Sequence, residues 1–400
     1  MTDTEQTLLA CVRACIHAQG AHIPPETDWA ELQRLASHHG VAPLVYRALP
    51  EPYATQLRER ERERIRWGLR LTAALLRLLD LLERHAIPAL PFKGPALAFA
   101  LYGDATMRES CDLDVLVRAE DLANAKRSML AAGYTTDLPS DAAHEAAYLR
   151  ARYELHFTAP DGGVPIEIHQ AFLAPSYCLP FDYKALWRRL EPQALCGREV
   201  PMLPPGDLLL ILCAHGAKHS WTELSALCDI ARLLVIYGDR IVWRALLGQA
   251  RRLGAGRILL LGLILAADLL EVPVPADVLA SARADRAVTR LAGQVRASLF
   301  LECEGGGGLR FFLRTRECWR DKVACCARLA LLPNEEDYAC LPLPAVLSSL
   351  YYPLHAVRVA GKFGLVSLRS YLGRSLATGS RCRGFAGPAP VPGHGRSRHL

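Results

Sequence analysis

The stretch LPFKGPALAFALYGDATMRESCDLDVLVRAEDLANAKRSMLAAGY, residues 90–134, decides the fold because strand-like and helical segments alternate within it. IPALPFKG and DLDVLV are short apolar runs typical of strands, whereas PALAFALYG and EDLANAKRSMLAAG have helical patterns. Further along, YELHFTAPDGGVPIEIH, residues 153–169, predicts a β-hairpin around a turn at 161–163. We therefore expect a sheet with helices packed against it.

Helical periodicity dominates on both sides of this stretch. Short helices are predicted before residue 50, followed by a long amphipathic helix, Gln56 to His85, whose alternating charges in LRERERERIRW favour a solvated face over a nucleic acid site. Helical patterns return after Pro204, and the tail is rich in Gly, Pro, Ser and Arg. We predict four parts: an N-terminal helical region 1–55, a catalytic domain 56–200, a C-terminal helical region 201–373 and a disordered basic tail 374–400.

Composition restricts the class of protein. With 400 residues, 51% of them hydrophobic and 22% charged, the chain is typical of a globular protein with more than one packed unit. The formal net charge of +6 permits an anionic ligand such as a nucleotide and does not require a nucleic acid partner. The 13 cysteines form no CxxC pair, which disfavours a zinc site. Because no signal peptide or apolar run of about 18 residues is present, we expect a cytoplasmic protein.

Two carboxylates, Asp112 and Asp114, flank Leu113 at the start of the predicted strand DLDVLV. Residues i and i+2 of a strand point to the same face, so the two acids should project together while the intervening apolar residues enter the core. Paired carboxylate oxygens suit Mg²⁺. A capped strand start or a surface ion pair is the alternative interpretation of this pattern.

Two further features strengthen the metal hypothesis. In FKGPAL, Lys93 and Gly94 lie at a strand end before Pro95, and such a strand-to-helix turn presents backbone N–H groups to an anion. An ordinary turn is the alternative. In VPIEIH, Glu167 alternates with isoleucines and supplies a third acid on a separate strand. Three converging acids require cations, because burying unpaired carboxylates is costly.

These segments together resemble the nucleotidyltransferase superfamily with the polymerase-β-like fold, and most closely a bacterial branch that begins with a Lys-Gly motif. DWAELQRLASHHGVAPLVYRAL and LLLILCAHGAKHSWTELSALCDIARLL are similar to the helical regions of that branch. The resemblance implies an α+β fold, a mixed sheet with flanking helices between the two helical regions. It also implies transfer of NMP from an NTP, with ATP as the expected donor, to an acceptor hydroxyl by a two-metal in-line mechanism with Mg²⁺ (or Mn²⁺).

The resemblance also assigns residues. It places Asp112, Asp114 and Glu167 as metal-binding and catalytic acids, and Lys93 and Gly94 at the nucleotide. Arg108, just before the aspartates, is expected either to bind the triphosphate or to form a structural ion pair. The sequence departs from the superfamily where Gly-Ser is usual, since Pro95 follows Gly94. A catalytically inactive nucleotide-binding or interaction protein is therefore the alternative function, and the acceptor, a small molecule or a protein, is not identified.

Other segments carry weaker signals. In HGAKHSW, His215 and His219 are four residues apart, but Gly216 stands where a zinc protease has glutamate, so a core-lining or cleft-facing role is favoured over metal binding. Asp229, in an apolar helix, is expected to be a buried partner of a helical neighbour. The segment from Ser348 to Gly373 is expected to pack on the core, with contact to a membrane surface or a protein as the alternative.

Overall fold

A computed structural model of the chain describes most of its length. The described residues are 1–50, 53–136, 153–160, 163–301, 308–333 and 345–361, together with Asp337, Leu341 and Leu343. The tip of the predicted hairpin, residues 161–162, and the predicted disordered tail, 374–400, lie outside this set.

Helices precede and follow a central β-sheet, as the sequence predicts. They are α1 (Asp3–Ile16), α2 (Trp29–His38), α3 (Ala42–Ala48), α4 (Tyr53–Arg84), α5 (Gly94–Tyr102), α6 (Leu122–Ala131), α7 (Tyr183–Arg188), α8 (Pro205–Lys218), α9 (Leu224–Tyr237), α10 (Trp243–Arg252), α11 (Gly256–Leu270), α12 (Ala276–Ala284), α13 (Arg286–Ser298), α14 (Gly308–Thr315) and α15 (Trp319–Leu331). The predicted long amphipathic helix is α4, which begins three residues before and ends one residue before its expected bounds.

The central sheet is mixed, which confirms the predicted α+β fold. Its strands are β1 (Ala89–Pro91), β2 (Leu113–Val117), β3 (Thr135–Thr136), β4 (Glu154–Thr158) and β5 (Pro165–His169), and a separate hairpin consists of β6 (Glu191–Leu195) and β7 (Arg198–Met202). The strand order of the sheet is β1-β2-β5-β4-β3. Strands β2 and β5 run parallel, and the other neighbouring pairs are antiparallel.

Strand β2 is buried on both faces, and its alternation separates two kinds of surroundings. Leu113, Val115 and Val117 join a hydrophobic core formed with α4, α6 and the apolar face of β4 and β5. Leu116, on the other face, joins the core of the flanking helices. Because side chains alternate along a strand, Asp114 lies on this second face, between the sheet and the helices.

The helices on either side of the sheet in the sequence share one hydrophobic core. Leu8 and Val12 of α1 belong to the same cluster as Leu227 of α9 and Leu259 of α11. These helices therefore belong to the same core that Leu116 of β2 joins. The proposed divisions at residues 55, 200 and 373 stay predictions.

Two observations concern the expected location and the C-terminal segment. Among the described helices, none combines the length and apolar character that crossing a bilayer requires. Within the described part of the C-terminal segment, residues 351–361 are helical. Tyr351 and His355 are buried there, and the His355 Nδ1 lies 2.6 Å from Asp337 Oδ2. These contacts join the segment to Asp337, and its packing on the core, with contact to a membrane surface or a protein as the alternative, stays a prediction.

Candidate active site

A cleft of about 460 Å³ opens between the second face of the sheet and helices α8 and α9. This volume is within the usual range for small-molecule sites. Five of the six residues that the sequence analysis selected line the cleft, and the sixth, Gly94, lies in the backbone turn next to Lys93. The sheet side carries mainly acids, and α8 brings His215, Lys218 and His219 to the opposite side.

Asp114 and Glu167 lie directly opposite each other on the parallel strands β2 and β5. The register also pairs Leu113 with Ile166, so the apolar neighbours of both acids face the other core together. Asp114 is 8% exposed, whereas Glu167 is half-buried at the cleft wall. The structure thus brings the second aspartate and the third acid together, as the sequence analysis expects.

His169 is a member of this cluster that the sequence analysis missed. Its Nε2 lies 3.1 Å from Asp114 Oδ1 and 3.2 Å from Glu167 Oε2, while its Nδ1 lies 3.3 Å from Glu154 Oε2 without hydrogen-bond alignment. Burial lowers the pKa of this imidazole, but the hydrogen bonds to Asp114 and Glu167 outweigh burial and raise it. His169 therefore lies among three carboxylates, and its hydrogen bonds to two of them favour the protonated form of the imidazole.

The signal for His169 was present in the sequence. Strand β4 contains Glu154-Leu155-His156, and β5 contains Glu167-Ile168-His169, so both strands carry Glu-x-His with the period of two that puts Glu and His on one face. Antiparallel pairing places Glu154 opposite His169 and His156 opposite Glu167. An isolated Glu-x-His is common, and only its repetition in two strands of one hairpin makes the pattern informative.

The turn between β1 and α5 is built as the sequence analysis expects. Helix α5 begins at Gly94, whose φ of 59° lies in the left-handed region that favours glycine, and Pro95 occupies its first turn. The Lys93 side chain reaches into the cleft, where its Nζ lies 3.5 Å from Asp114 Oδ1. Burial alone would raise the pKa of Asp114, but this ammonium and the His169 hydrogen bond outweigh burial and lower it.

Asp112 precedes strand β2 and lines the cleft. Burial, followed by repulsion from Asp114 and Glu167, raises the pKa of its carboxyl to about 6. That Asp112, Asp114 and Glu167 together bind metal stays a prediction. Among the described residues, two trios have ligand atoms that all lie within 4.8 Å of one another: Asp114 with Glu167 and His169, and Glu154 with His156 and Glu167. Asp112 precedes β2 and belongs to neither.

Arg108 forms the structural ion pair that was one of its two expected roles. Its Nε lies 3.0 Å from Asp229 Oδ2 on α9, and its Nη1 donates to Ser110 Oγ at 2.8 Å. Asp229 is 3% exposed. The expected partner of Asp229, a helical neighbour, was wrong, because the pair joins residues 121 positions apart in the chain. Arg108 fastens the segment before β2 to α9 and so fixes one end of the cleft.

Helix α8 supplies the opposite wall. Lys218 Nζ lies 3.1 Å from the Tyr153 hydroxyl and 5.6 Å from the centre of its ring. Burial, followed by repulsion from Lys93, lowers the pKa of Lys218. The same two causes lower the pKa of His215, which keeps this histidine neutral. His215 and His219 face the cleft, as expected, and neither belongs to a metal-ligating group among the described residues.

The tight end of α8 explains the glycine in HGAKHSW. The ring of Trp221 lies so close to Gly216 that a Cβ there would approach its Cζ3 to 2.3 Å. Trp221 is 1% exposed, and both Ser220 and Trp221 have positive φ values, 57° and 58°. This strained turn folds the indole under the helix and directs Lys218 into the cleft.

The cleft chemistry fits a divalent cation. The ligand atoms of Asp114, Glu167 and His169 lie within 4.8 Å of one another, and Asp112 adds carboxylate oxygens nearby. Carboxylate oxygens are the preferred ligands of Mg²⁺ and Mn²⁺. Burial and, after it, the negative charges of Asp114 and Glu167 raise the pKa of Asp112, and a bound cation would offset both causes.

Comparison with known proteins agrees with this geometry. A family model described as "Uncharacterised nucleotidyltransferase" matches residues 25–271, more than half of the chain. The matched range runs from just before α2 to the end of α11 and includes the sheet and the cleft. No curated protein matches the chain significantly.

Proposed function

The chain belongs to the family of uncharacterised nucleotidyltransferases, and from this premise we propose that it moves an NMP group from an NTP, with ATP as the expected donor, to a hydroxyl of an acceptor. The observation that carries the proposal is the direct opposition of Asp114 and Glu167 on neighbouring strands, beside the turn of Lys93 and Gly94. Acids held by strand register next to a helix N-terminus suit a reaction that needs cations and phosphate together.

Asp112, Asp114 and Glu167 are the proposed ligands for Mg²⁺ (or Mn²⁺). When bound, two such ions would neutralise charge on the transferring phosphoryl group and align the attacking and leaving oxygens. His169 contacts two of these acids, since its Nε2 lies within 3.2 Å of oxygens of both Asp114 and Glu167. A side chain held this way fixes the orientation of carboxylates before substrate arrives.

The phosphate groups are assigned to the turn before α5. Gly94 allows close approach of the backbone, and the helix N-terminus attracts the anion. Lys93 supplies a mobile point charge in place of the serine that the turn lacks. Lys218, on the opposite wall, faces the same cleft and is positioned to contact the outer phosphates. Arg108 holds the cleft together through Asp229 and is not proposed to bind phosphate.

The reaction itself is a substitution at phosphorus. The acceptor oxygen forms a bond to the α-phosphorus while the bond from that phosphorus to the bridging oxygen breaks, so pyrophosphate leaves with the electron pair. The acceptor hydroxyl must lose its proton, and Glu167 is the assigned proton acceptor because its carboxylate is the more exposed of the two opposed acids. Most of the rate enhancement would come from positioning and charge.

A second candidate is a nucleotide-binding protein without catalytic activity. One observation favours it: Asp114 Oδ1 already has two cationic neighbours, Lys93 at 3.5 Å and His169 at 3.1 Å. These contacts compensate the carboxylate without an ion. The absence of serine after Gly94 points the same way.

The deciding experiment measures pyrophosphate release by the full chain with each NTP and Mg²⁺, alongside mass spectrometry for NMP added to protein hydroxyls. Asp114→Ala should lower the transfer rate by at least about 100-fold, as for loss of one preorganised electrostatic partner. Asp277→Ala, which removes an exposed aspartate of α12, is the matched control and should leave the rate unchanged. Equal rates in wild type and Asp114→Ala would refute the proposal, and metal-dependent NTP binding without pyrophosphate release would favour the second candidate.

A further inference from the structure

The two Glu-x-His segments place four metal-ligating side chains on one face of the β4–β5 pair. Glu154 lies opposite His169, and His156 lies opposite Glu167, so the acids and imidazoles alternate around a four-membered arrangement. Its inner part, with His169, is buried and belongs to the cluster around Asp114. Its outer part is formed by Glu154, His156 and Glu167, whose ligand atoms all lie within 4.8 Å of one another.

The outer trio has the spacing of ligands around an ion. His156 Nε2 lies 3.6 Å from Glu154 Oε1, and His156 Nδ1 lies 3.9 Å from Glu167 Oε1. Both distances are too long for hydrogen bonds. The two distances start from different ring nitrogens, and an imidazole binds one ion through one nitrogen only. With one ligand atom from each residue, the trio lies within 4.8 Å, compared with about 3.4 Å between two ligands of a tetrahedral ion with bonds of 2.0–2.1 Å. A small rotamer adjustment of the histidine would complete such a site.

The two oxygens of Glu167 point to different partners. Its Oε2 lies 3.2 Å from His169 in the inner cluster, whereas its Oε1 faces His156 in the outer trio. A carboxylate placed between two clusters in this way can bridge two ions. The outer position lies near the surface, because the His156 side chain is 43% exposed.

We propose that Glu154, His156 and Glu167 form a separate binding site for a borderline divalent transition metal, with Zn²⁺ as the representative ion. An imidazole nitrogen with two carboxylates suits Zn²⁺, whereas Mg²⁺ prefers oxygen ligands throughout. Three protein ligands leave a coordination position open for water or substrate. The site shares Glu167 with the proposed transferase function, but its occupation by metal does not require that function.

The test measures Zn²⁺ binding to the metal-stripped full chain by calorimetry, with Zn²⁺ as the only added ligand. His156→Ala and Glu154→Gln should each weaken one binding event by at least about tenfold, because each removes a direct ligand. His22→Ala is the matched control, since it removes an exposed histidine outside the cleft and leaves every thiol in place. That variant should bind Zn²⁺ as the wild type does.

A further variant and a second measurement distinguish the outer trio from the inner cluster and show whether a loss of binding comes from misfolding. Asp114→Asn removes an acid of the inner cluster only, so it should keep the His156-dependent binding event. Zn²⁺ should also raise the melting temperature of the wild type and of Asp114→Asn, and not that of His156→Ala. Unchanged Zn²⁺ affinity in both His156→Ala and Glu154→Gln would overturn the inference. If the wild type binds Zn²⁺ through His156 but shows no nucleotidyl transfer, that result would count against the proposed function alone.

Discussion

The cleft face of the sheet and the inner face of α9 each hold a buried aspartate beside a cation, yet the two regions balance charge differently. On α9, Asp229 has one partner, Arg108, whose guanidinium is also held by Ser110. On the sheet, Asp114 meets both Lys93 and His169. The sheet face also carries three further acids within the same cleft: Asp112, Glu154 and Glu167.

The difference separates a structural pair from a candidate reactive centre. One acid and one base close the α9 pair, and no carboxylate is left in excess. On the sheet, four acids lie beside Lys93 and His169, and Lys218 faces them from the opposite wall, so charge is shared among several groups where the cleft opens to ligands. Burial raises the pKa of Asp229 despite Arg108, whereas the pKa of Asp114 is lowered because its cationic partners outweigh burial.

The largest effect is expected from breaking the closed pair. Asp229→Asn leaves the Arg108 guanidinium buried without a counter-charge, and such losses typically cost about 3–5 kcal/mol of unfolding free energy. Urea denaturation of the metal-free protein measures this cost. Asp114→Asn should cost less than Asp229→Asn, because Glu154 and Glu167 still lie beside His169 and because the change relieves repulsion among the sheet acids.

The double variant Arg108→Met/Asp229→Leu provides the control for this comparison. Replacing a whole buried pair by apolar residues of similar volume is often nearly neutral. The double variant should therefore be much more stable than Asp229→Asn. If Asp229→Asn were as stable as the wild type, the contrast between the two regions would be lost.

A smaller, pH-dependent effect is expected at Asp112. Its pKa rises from 3.8 to about 6 on folding, so the folded protein holds this proton more tightly and stability falls as pH rises between those values. Asp112→Asn should thus stabilise the metal-free protein at pH 8 by about 1–2 kcal/mol, a figure reduced for partial exposure.

At pH 3 the same substitution should be nearly neutral, because the wild-type carboxyl is then largely protonated in both states. Denaturation in EDTA at the two pH values checks this. Equal stabilisation at both would contradict the electrostatic cause, and added Mg²⁺ should abolish the advantage at pH 8 if Asp112 is a ligand.

The last prediction concerns stability and NTP binding at the glycine turn beside Asp114. Gly94→Ala and Gly103→Ala change the two ends of α5, where both glycines have positive φ values, 59° and 72°. A Cβ at Gly94 would lie 3.6 Å from the Asp112 carbonyl oxygen, and one at Gly103 would meet nothing within 4 Å. Each substitution should therefore cost about 1–2 kcal/mol through backbone strain alone.

Comparison of Gly94→Ala with Gly103→Ala separates the effect of backbone strain from the effect on phosphate binding. Only Gly94→Ala should also weaken NTP affinity, since Gly103 lies at the far end of the helix. Thermal denaturation and NTP titration of both variants give the two quantities. Equal NTP affinity in the two variants would remove Gly94 from the proposed phosphate site.

Much of this arrangement was predictable from local pattern. The alternation in residues 90–134 indicated strand, helix, strand and helix, and each was confirmed within a few residues. Asp114 and Glu167 stood out because each interrupts an apolar strand. His169 did not, because a histidine at a strand end has no periodic signal of its own, and its value depends on the pairing of β4 with β5.

The partners of Arg108 and Asp229 were beyond local pattern for a related reason. Both residues are common in helices and loops, and the sequence between them spans 121 positions. The two expected roles of Arg108, phosphate binding and a structural ion pair, could not be distinguished without knowing which side chain approaches its guanidinium.

The sequence by itself determined the α+β character, the acid-bearing strands and the glycine turn, because strand alternation and turn geometry depend on neighbours a few residues away. Only the tertiary structure decided that β2 and β5 lie parallel with Asp114 opposite Glu167, that His169 joins them, and that α8 closes the cleft. Those relations depend on register and packing between distant segments, where hydrophobic burial fixes positions and charge then has to be balanced locally.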